Sequence, residues 1–384
     1  MGDDLNKRFV LIVATVSGFI KSFELNDISI LQDMGYKVHI ATNLAEHDDE
    51  FFKQRGIIPH HIDFRRFPFK SSNFKAIKII QRIIEDNDIS LVHCHTPVGG
   101  VIARLAAKKY RKQGCKVIYT AHGLQFYIGA PKKDWLIYYP VEKYLSKYTD
   151  VLITINHEDY SIVKEKFRCK TVYYSPGVGV DLEKFGNATI DRNSKRTELG
   201  LNESDVMLLS VGELIIRKNH QILIQALDRI KNKNIICFIA GSGPLLNDLQ
   251  ELINSLGLQD RVFLLGRRED ISELLACTDI YVHPAKREGL SVALMEAMAS
   301  GLPVVCSKIR GNTDLIEDGK GGYLCDVNDI DAYANDLARL SDDPDLRYQM
   351  SVYNQNKIQE FSINVVDQKM RSIYWEVIQE NPIK

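Results

Sequence analysis

The sequence lacks a membrane span: its apolar run from Phe9 to Val16 is far shorter than the roughly 20 residues a transmembrane helix needs. No cleavage-like segment follows it, so it is expected to be a first β-strand. An excess of either charge is also missing, with 49 Lys and Arg against 50 Asp and Glu. That balance offers no general field for nucleic acid, so any anion site must be local. The seven cysteines (94, 115, 169, 237, 277, 306 and 325) are scattered, odd in number and without close pairs. They imply no disulfide framework and fit reduced core thiols in the cytosol. The stretch TVSGFIKSF, Thr15 to Phe23, holds only Gly18 where a dinucleotide oxidoreductase would carry G-x-G-x-x-G, which weighs against a nicotinamide enzyme. There is no low-complexity segment and no 20–50-residue repeat.

What is present is a globular composition, 45% apolar and 26% charged, on a chain of 384 residues. That length favours two domains and a cleft between them. Short Val/Ile-rich runs alternate with longer amphipathic ones, the pattern of βα units on a parallel sheet. Strands are expected at 9–15, 37–42, 57–64, 91–94, 116–121, 151–155 and 171–174, with helices such as 23–34, 74–86, 98–112 and 134–146. The rhythm breaks at YYSPGVGVDLEKFG, Tyr173 to Gly186, where one proline and three glycines interrupt any periodicity. A second series follows in DVMLLSVGE, NIICFIAGSG, RVFLLG, IYVHPA, LPVVCS and GGYLCD. Two doubly wound α/β modules are the simplest reading: residues 1–176, a hinge over 177–189, and 190–384. Such sheets bind ligands beyond the carboxyl ends of their strands. The final amphipathic stretch, Val365 to Gln379, either closes the second domain or crosses back to the first.

The second module carries the chemistry. KREGLSVALMEAMASGLPVV places Glu288 and Glu296 eight positions apart, around a helix expected to begin near Leu290 or Ser291 and to stop at Gly301. Gly289, Leu290 and Ser291 would then offer free N–H groups at the positive end of a helix, a site suited to phosphate. Glu296, further along the helix, suits a vicinal diol such as ribose; Glu288, before it, suits hydroxyls beyond the phosphate. The alternative is an ordinary exposed glutamate pair. In VGELIIRKNH, Arg217 and Lys218 sit where a helix begins; cations are unhelpful there unless an anion binds. AGSGPL supplies Gly241 and Gly243 for close backbone approach, and LGRRED, containing Arg267, is a candidate to hold a base edge. All four turns are expected on one carboxyl-end edge.

On these motifs (Glu288-x7-Glu296, Gly-Leu-Ser, AGSGPL and ASGLPVV) the chain resembles the retaining nucleotide-sugar glycosyltransferases of family 4. The resemblance covers nearly the whole chain. It implies the GT-B fold, two Rossmann-like parallel-sheet domains facing a cleft, and transfer of a sugar, with UDP as the expected nucleotide and retention of anomeric configuration. It further implies that Glu288 contacts the donor sugar, that Glu296 binds ribose, and that Lys218 and the Gly289–Ser291 amides hold the diphosphate. His122, in YTAHGLQFY, is implied to lie near the reacting sugar, and the loop with Gly18 to close over the cleft. One departure stands out: the family commonly has Gly-Arg where this chain has Gly212-Glu213, and Arg217 is the candidate replacement charge.

In the first module, His93 and His95 of LVHCHTP share a strand face, but no third ligand is evident in surroundings read as carboxylate-poor. No metal and no cofactor beyond the nucleotide-sugar substrate is expected. HHIDFRRFPFKSSNFK interleaves Arg65, Arg66 and Lys70 with phenylalanines, and YIGAPKKDWLIYYPVEKYLSKYTD mixes Lys132, Lys133 and Trp135 with tyrosines. Such mixtures suit a phosphate on an apolar chain and a membrane surface. A lipid-linked glycan acceptor is expected, at the cytoplasmic face of the cell membrane, in the manner of bacterial capsule and exopolysaccharide enzymes. The rivals are a nucleotide-sugar epimerase of the same architecture and a catalytically silent subunit of a partner transferase.

Overall fold

The computed structural model describes residues 8–65, 71–186 and 190–379. The chain forms two compact units, Met1–Val178 with Val366–Lys384, and Gly179–Val365. In the first, β1 (Phe9–Val16), β2 (Lys37–Asn43), β3 (Ile58–His61), β4 (Ile89–Cys94), β5 (Lys116–Ala121), β6 (Val151–Thr154) and β7 (Thr171–Tyr174) form a seven-stranded sheet. Its order is β3-β2-β1-β4-β5-β6-β7. In the second, β8 (Val206–Val211), β9 (Ile235–Ala240), β10 (Val262–Gly266), β11 (Ile280–His283), β12 (Val304–Ser307) and β13 (Gly322–Cys325) order as β10-β9-β8-β11-β12-β13. Every pairing is parallel.

Helices cover both faces of the first sheet, which explains its uninterrupted apolar strands. Along β1, Val10, Ile12 and Ala14 pack with Ile28 and Leu31 on one face, while Leu11 and Val13 pack with Ile80 and Ile102 on the other. The last helix, Ile363–Gln379, buries Val366, Met370, Ile373, Tyr374 and Val377. Their three- and four-residue spacing makes one apolar stripe, and all five join the core of the first unit. Arg371 reinforces the attachment with a 2.6 Å ion pair to Asp33.

The segment after β1 departs from expectation. Thr15–Phe23 is not an open loop: Ser17–Phe23 is helical directly from the end of β1, and Leu25–Asp33 forms a second helix. Burial of Ser17 and of Ile20 draws this segment onto the sheet. Glu24 stands at the junction and is itself 2% exposed. A Cβ at Gly18 would meet nothing within 4 Å, so no close approach requires glycine there. In the segment read as a hinge, Gly177 and Gly179 have φ of 77° and 78°, a region that favours glycine; residues 187–189 of that segment lie outside the described residues.

Both tryptophans of the chain, Trp135 and Trp375, belong to the first unit, so their fluorescence follows its unfolding alone. Ile373→Ala, which empties a fully packed site, is expected to lower stability by about 2–4 kcal/mol. A shift of the fluorescence-detected denaturant midpoint larger than that of the far-ultraviolet dichroism would be the sign that the last helix stabilises the first unit.

Candidate active site

In the second sheet β8 lies beside β11, and the chain departs from this pair toward opposite edges. Loops leaving the carboxyl ends of two such strands open a crevice between them. The loop after β8 carries Arg217 and Lys218; the loop after β11 carries Glu288. Lys218 Nζ and Arg217 Nη1 both donate to the same oxygen, Glu288 Oε1, at 2.8 and 3.0 Å. Main-chain bonds fix the two loops to each other: Lys286 N–H donates to the Arg217 carbonyl at 2.8 Å, and Arg217 also reaches the Arg287 carbonyl at 3.1 Å. Arg310 Nε donates to the Glu288 carbonyl at 3.2 Å.

Burial alone would raise the Glu288 pKa, but His283, Lys218 and Arg217 together hold it well below the usual carboxylate range. The ion pairs carry that effect, since His283 Nε2 is 3.7 Å away, beyond hydrogen-bond reach. Two cations on one carboxylate leave the cluster net positive.

The helix Val292–Ala299 begins beside this cluster, with Ser291 as its N-cap accepting from Leu294 N–H at 3.3 Å. The N–H groups of Gly289, Leu290 and Ser291 make no hydrogen bond within the described residues. They stand at the positive end of a helix dipole. One turn in, the Glu296 carboxylate has no hydrogen-bond partner among the described residues; burial pushes its pKa up to about 7, opposed only by Lys184. A half-buried carboxylate without donors is suited to accept them from a ligand.

The glycines of AGSGPL have an internal cause. A Cβ at Gly241 would lie 1.8 Å from the Gly212 carbonyl oxygen, and one at Gly243 2.5 Å from that of Leu214. The turn after β9 therefore packs backbone to backbone on the turn after β8, joined by Leu214 N–H to the Ser242 carbonyl at 3.0 Å. Pro244 lies just ahead of the helix Leu246–Ser255 and of its N-cap, Leu245. Gly311 is likewise held 2.3 Å, measured from a built Cβ, from the Gly289 carbonyl oxygen. Glu213 is exposed, and the carboxylate at the cations is Glu288. Arg267 is exposed at the end of the edge strand β10; its neighbour Arg268 is taken up by Asp270 at 2.8 and 2.5 Å. The structure thus gathers Arg217, Lys218, Glu288 and Gly289–Ser291, and leaves Arg267 apart from them.

A separate pocket opens at the carboxyl edge of the first sheet, lined by Glu24, Asp27, His95, Thr120, His122 and Asp367 among others. It corrects the reading of LVHCHTP: the surroundings are not poor in carboxylates. Glu24 Oε1 lies 3.2 Å from His95 Nδ1 and 3.5 Å from His122 Nε2, and those two nitrogens are 3.1 Å apart. His93 instead bonds Tyr374 and Thr120, each at 2.8 Å, and Tyr374 continues to Asp27 at 2.9 Å. Burial holds Glu24 well above the usual range, aided by Asp27, and lowers His122 to about 4. Sequence reasoning missed Glu24 because nothing but the helix junction marks it, and Tyr374 because its partners lie 281 and 347 positions away. Arg65 is exposed and paired with Asp63 at 2.8 Å; Arg66 and Lys70 lie outside the described residues. Lys132 and Lys133 are exposed, but Trp135 packs on Phe126 and Tyr139, while Leu136 (77% exposed) and Ile128 (77%) offer the apolar surface.

Residues 191–357 match the family described as glycosyl transferases group 1, and residues 9–156 match glycosyl transferase 4-like. EpsD of Bacillus subtilis, named as a glycosyltransferase, is 36% identical over 95% of this chain and 96% of its own. The UDP-Gal:alpha-D-GlcNAc-diphosphoundecaprenol alpha-1,3-galactosyltransferase of Escherichia coli is 32% identical over 80% of each chain. Among solved structures, HepE of Anabaena in complex with UDP and glucose superposes with a TM-score of 0.77 at 19% identity, over 96% of this chain and 100% of its own.

The unpartnered Glu296 sets a sign for the pH dependence of stability. With its pKa raised from 4.5 to about 7, the folded protein holds a proton that the unfolded chain has lost, so this group costs stability as pH rises through that window. Glu296→Gln removes the cost. Thermal melts at pH 5 and pH 8 should show the variant gaining on the natural protein only at the higher pH; equal differences at both would contradict the assigned environment.

Proposed function

The chain belongs to the family 4 glycosyltransferases with the GT-B fold, and from that premise we propose that it transfers a sugar from UDP to a lipid-linked glycan with retention of configuration. The observation that carries the donor half is the net-positive Lys218–Glu288–Arg217 cluster beside a helix end with three unused N–H groups. In this reading Lys218, Arg217 and the Gly289–Ser291 amides hold the diphosphate, Glu296 accepts from the ribose hydroxyls, and Glu288 passes from the cations toward the donor sugar. Arg217 supplies the charge that Glu213 does not. UDP as the nucleotide is supported by the donor named for the Escherichia coli relative.

Retention follows a front-face path. The acceptor oxygen bonds to the anomeric carbon on the face from which the phosphate oxygen departs, and the acceptor proton passes to that oxygen. No protein carboxylate need form a covalent intermediate. Cations and helix amides stabilise the charge that grows on the leaving diphosphate, so donor binding requires no metal at the phosphates.

The first unit, with His122, is assigned to the acceptor. An undecaprenol-linked acceptor, as named for the same relative, suits the exposed Leu136 and Ile128 beside Lys132 and Lys133. These residues suit contact with the cytoplasmic face of a membrane.

Calorimetric titration with UDP tests the donor site. Binding is expected to be equal in magnesium and in chelator, to fall about 10- to 100-fold in Lys218→Ala, and to be lost in Glu296→Ala. No binding by the natural protein, or binding only with magnesium, would overturn the reading. Sugar transfer to a polyprenyl-diphosphate glycan, followed by magnetic resonance of the anomeric proton, then reads the acceptor and the stereochemistry.

A further inference from the structure

Glu24 Oε1, His95 Nδ1 and His122 Nε2 form a triangle with sides of 3.1, 3.2 and 3.5 Å. Protons satisfy it only while Glu24 stays neutral, its hydroxyl donating to His95 Nδ1 and accepting from His122 Nε2; with Glu24 ionised, an imidazole nitrogen either donates or accepts and at least one side sets like against like. Solvent does not stabilise the ionised form, since Glu24 and His95 are 2% and 1% exposed. No lysine or arginine lies among the residues that line the pocket.

A cation takes the place of that proton, because it accepts a lone pair from each of the three atoms and leaves Glu24 ionised. Zinc bound tetrahedrally at about 2.0–2.1 Å leaves neighbouring ligand atoms roughly 3.3–3.4 Å apart, and the observed sides bracket that spacing. Magnesium and calcium, which take oxygen ligands in larger number, fit two imidazoles and one carboxylate poorly. Each ligand is held by a different element: Glu24 by the junction of two helices, His95 by the end of β4, and His122 by the end of β5. Neighbouring strands set the two histidines side by side; the Thr120–His93 bond at 2.8 Å supports the same pair of strands. His122 is also braced by Phe19, edge to face at 4.9 Å between ring centres.

We propose that Glu24, His95 and His122 bind one divalent first-row transition ion, zinc by geometry, in the pocket of the first unit. Three protein ligands leave the fourth position for a water or for a hydroxyl that enters the pocket. The ion fixes the His122 ring and sits in the unit that does not hold the diphosphate, so the site neither requires nor contradicts the donor assignment.

Cobalt(II) titration of the chelator-stripped full chain tests the site, because a four-coordinate ion absorbs visible light much more strongly than a six-coordinate one. One equivalent with a strong band, displaced by zinc, is the expected result. The band should be lost in Glu24→Gln and in His122→Asn, the latter at the partly exposed rim, with dichroism showing each variant folded. His60→Gln, which opens the other close histidine pair (His39 Nδ1 to His60 Nε2, 2.9 Å), should keep it. Uptake below one equivalent, a weak six-coordinate band, or a band that survives the first two variants or depends on His60 would overturn the proposal. UDP titration of the same metal-free protein reads the donor site independently.

Discussion

Two cations share one half-buried carboxylate oxygen at the point where the second sheet reverses its order, and the edge of that unit is organised around this contact. Glu288 ties the loop after β8 to the loop after β11 through Lys218 and Arg217, and Arg310 holds its carbonyl from the loop after β12. Three loops thereby converge on one residue. A carboxylate in a half-dry crevice is costly unless it is paired, and here it is paired twice. The surplus charge, with the free amides at the start of Val292–Ala299, makes the position attractive to an anion and poor for anything neutral.

The first unit uses the same sheet geometry for opposite electrostatics. Its carboxyl edge holds no lysine or arginine in the pocket; instead imidazoles, carboxyls and Tyr374 form a buried network in which burial disfavours every charge. One strand order, used twice, thus produces an anion-seeking edge and a nearly neutral one. What differs is the side chains at the strand ends, not the scaffold.

Much of this was legible in the sequence. Among the described residues, the strands other than the edge strand β3 (Ile58–His61) coincide with largely apolar runs, because parallel strands covered on both faces must be continuous in hydrophobicity. The helix at 292–299 was readable from Ser291 and Gly301, since caps are local chemistry. Contacts between distant strand ends left no such mark. The sharing of Glu288 by two cations, the backbone packing that demands Gly241 and Gly243, and the meeting of Glu24 with His95 and His122 all depend on which strands are neighbours. The close backbone approach read from Gly241 and Gly243 has a partner that the sequence does not name, the loop after β8. The helix at 17–23 was hidden because its burial comes from tertiary contact rather than from a periodic stripe, and Trp135 was hidden because an aromatic on an amphipathic helix can face either the core or the water.

The last helix carries a consequence for how the protein is made. Val366, Met370, Ile373, Tyr374 and Val377 complete a core whose other members occupy the first 153 residues. Tyr374 also closes the network through His93 and Asp27. A ribosome adds about 5–20 residues per second, so after β7 has emerged the first unit waits on the order of ten to forty seconds for its final piece. By the end of that interval the second unit, Gly179–Val365, has been made in full. The usual order of synthesis, in which the domain begun first is finished first, is inverted here, and the nascent first unit must leave part of one sheet face uncovered until residues 366–377 have emerged.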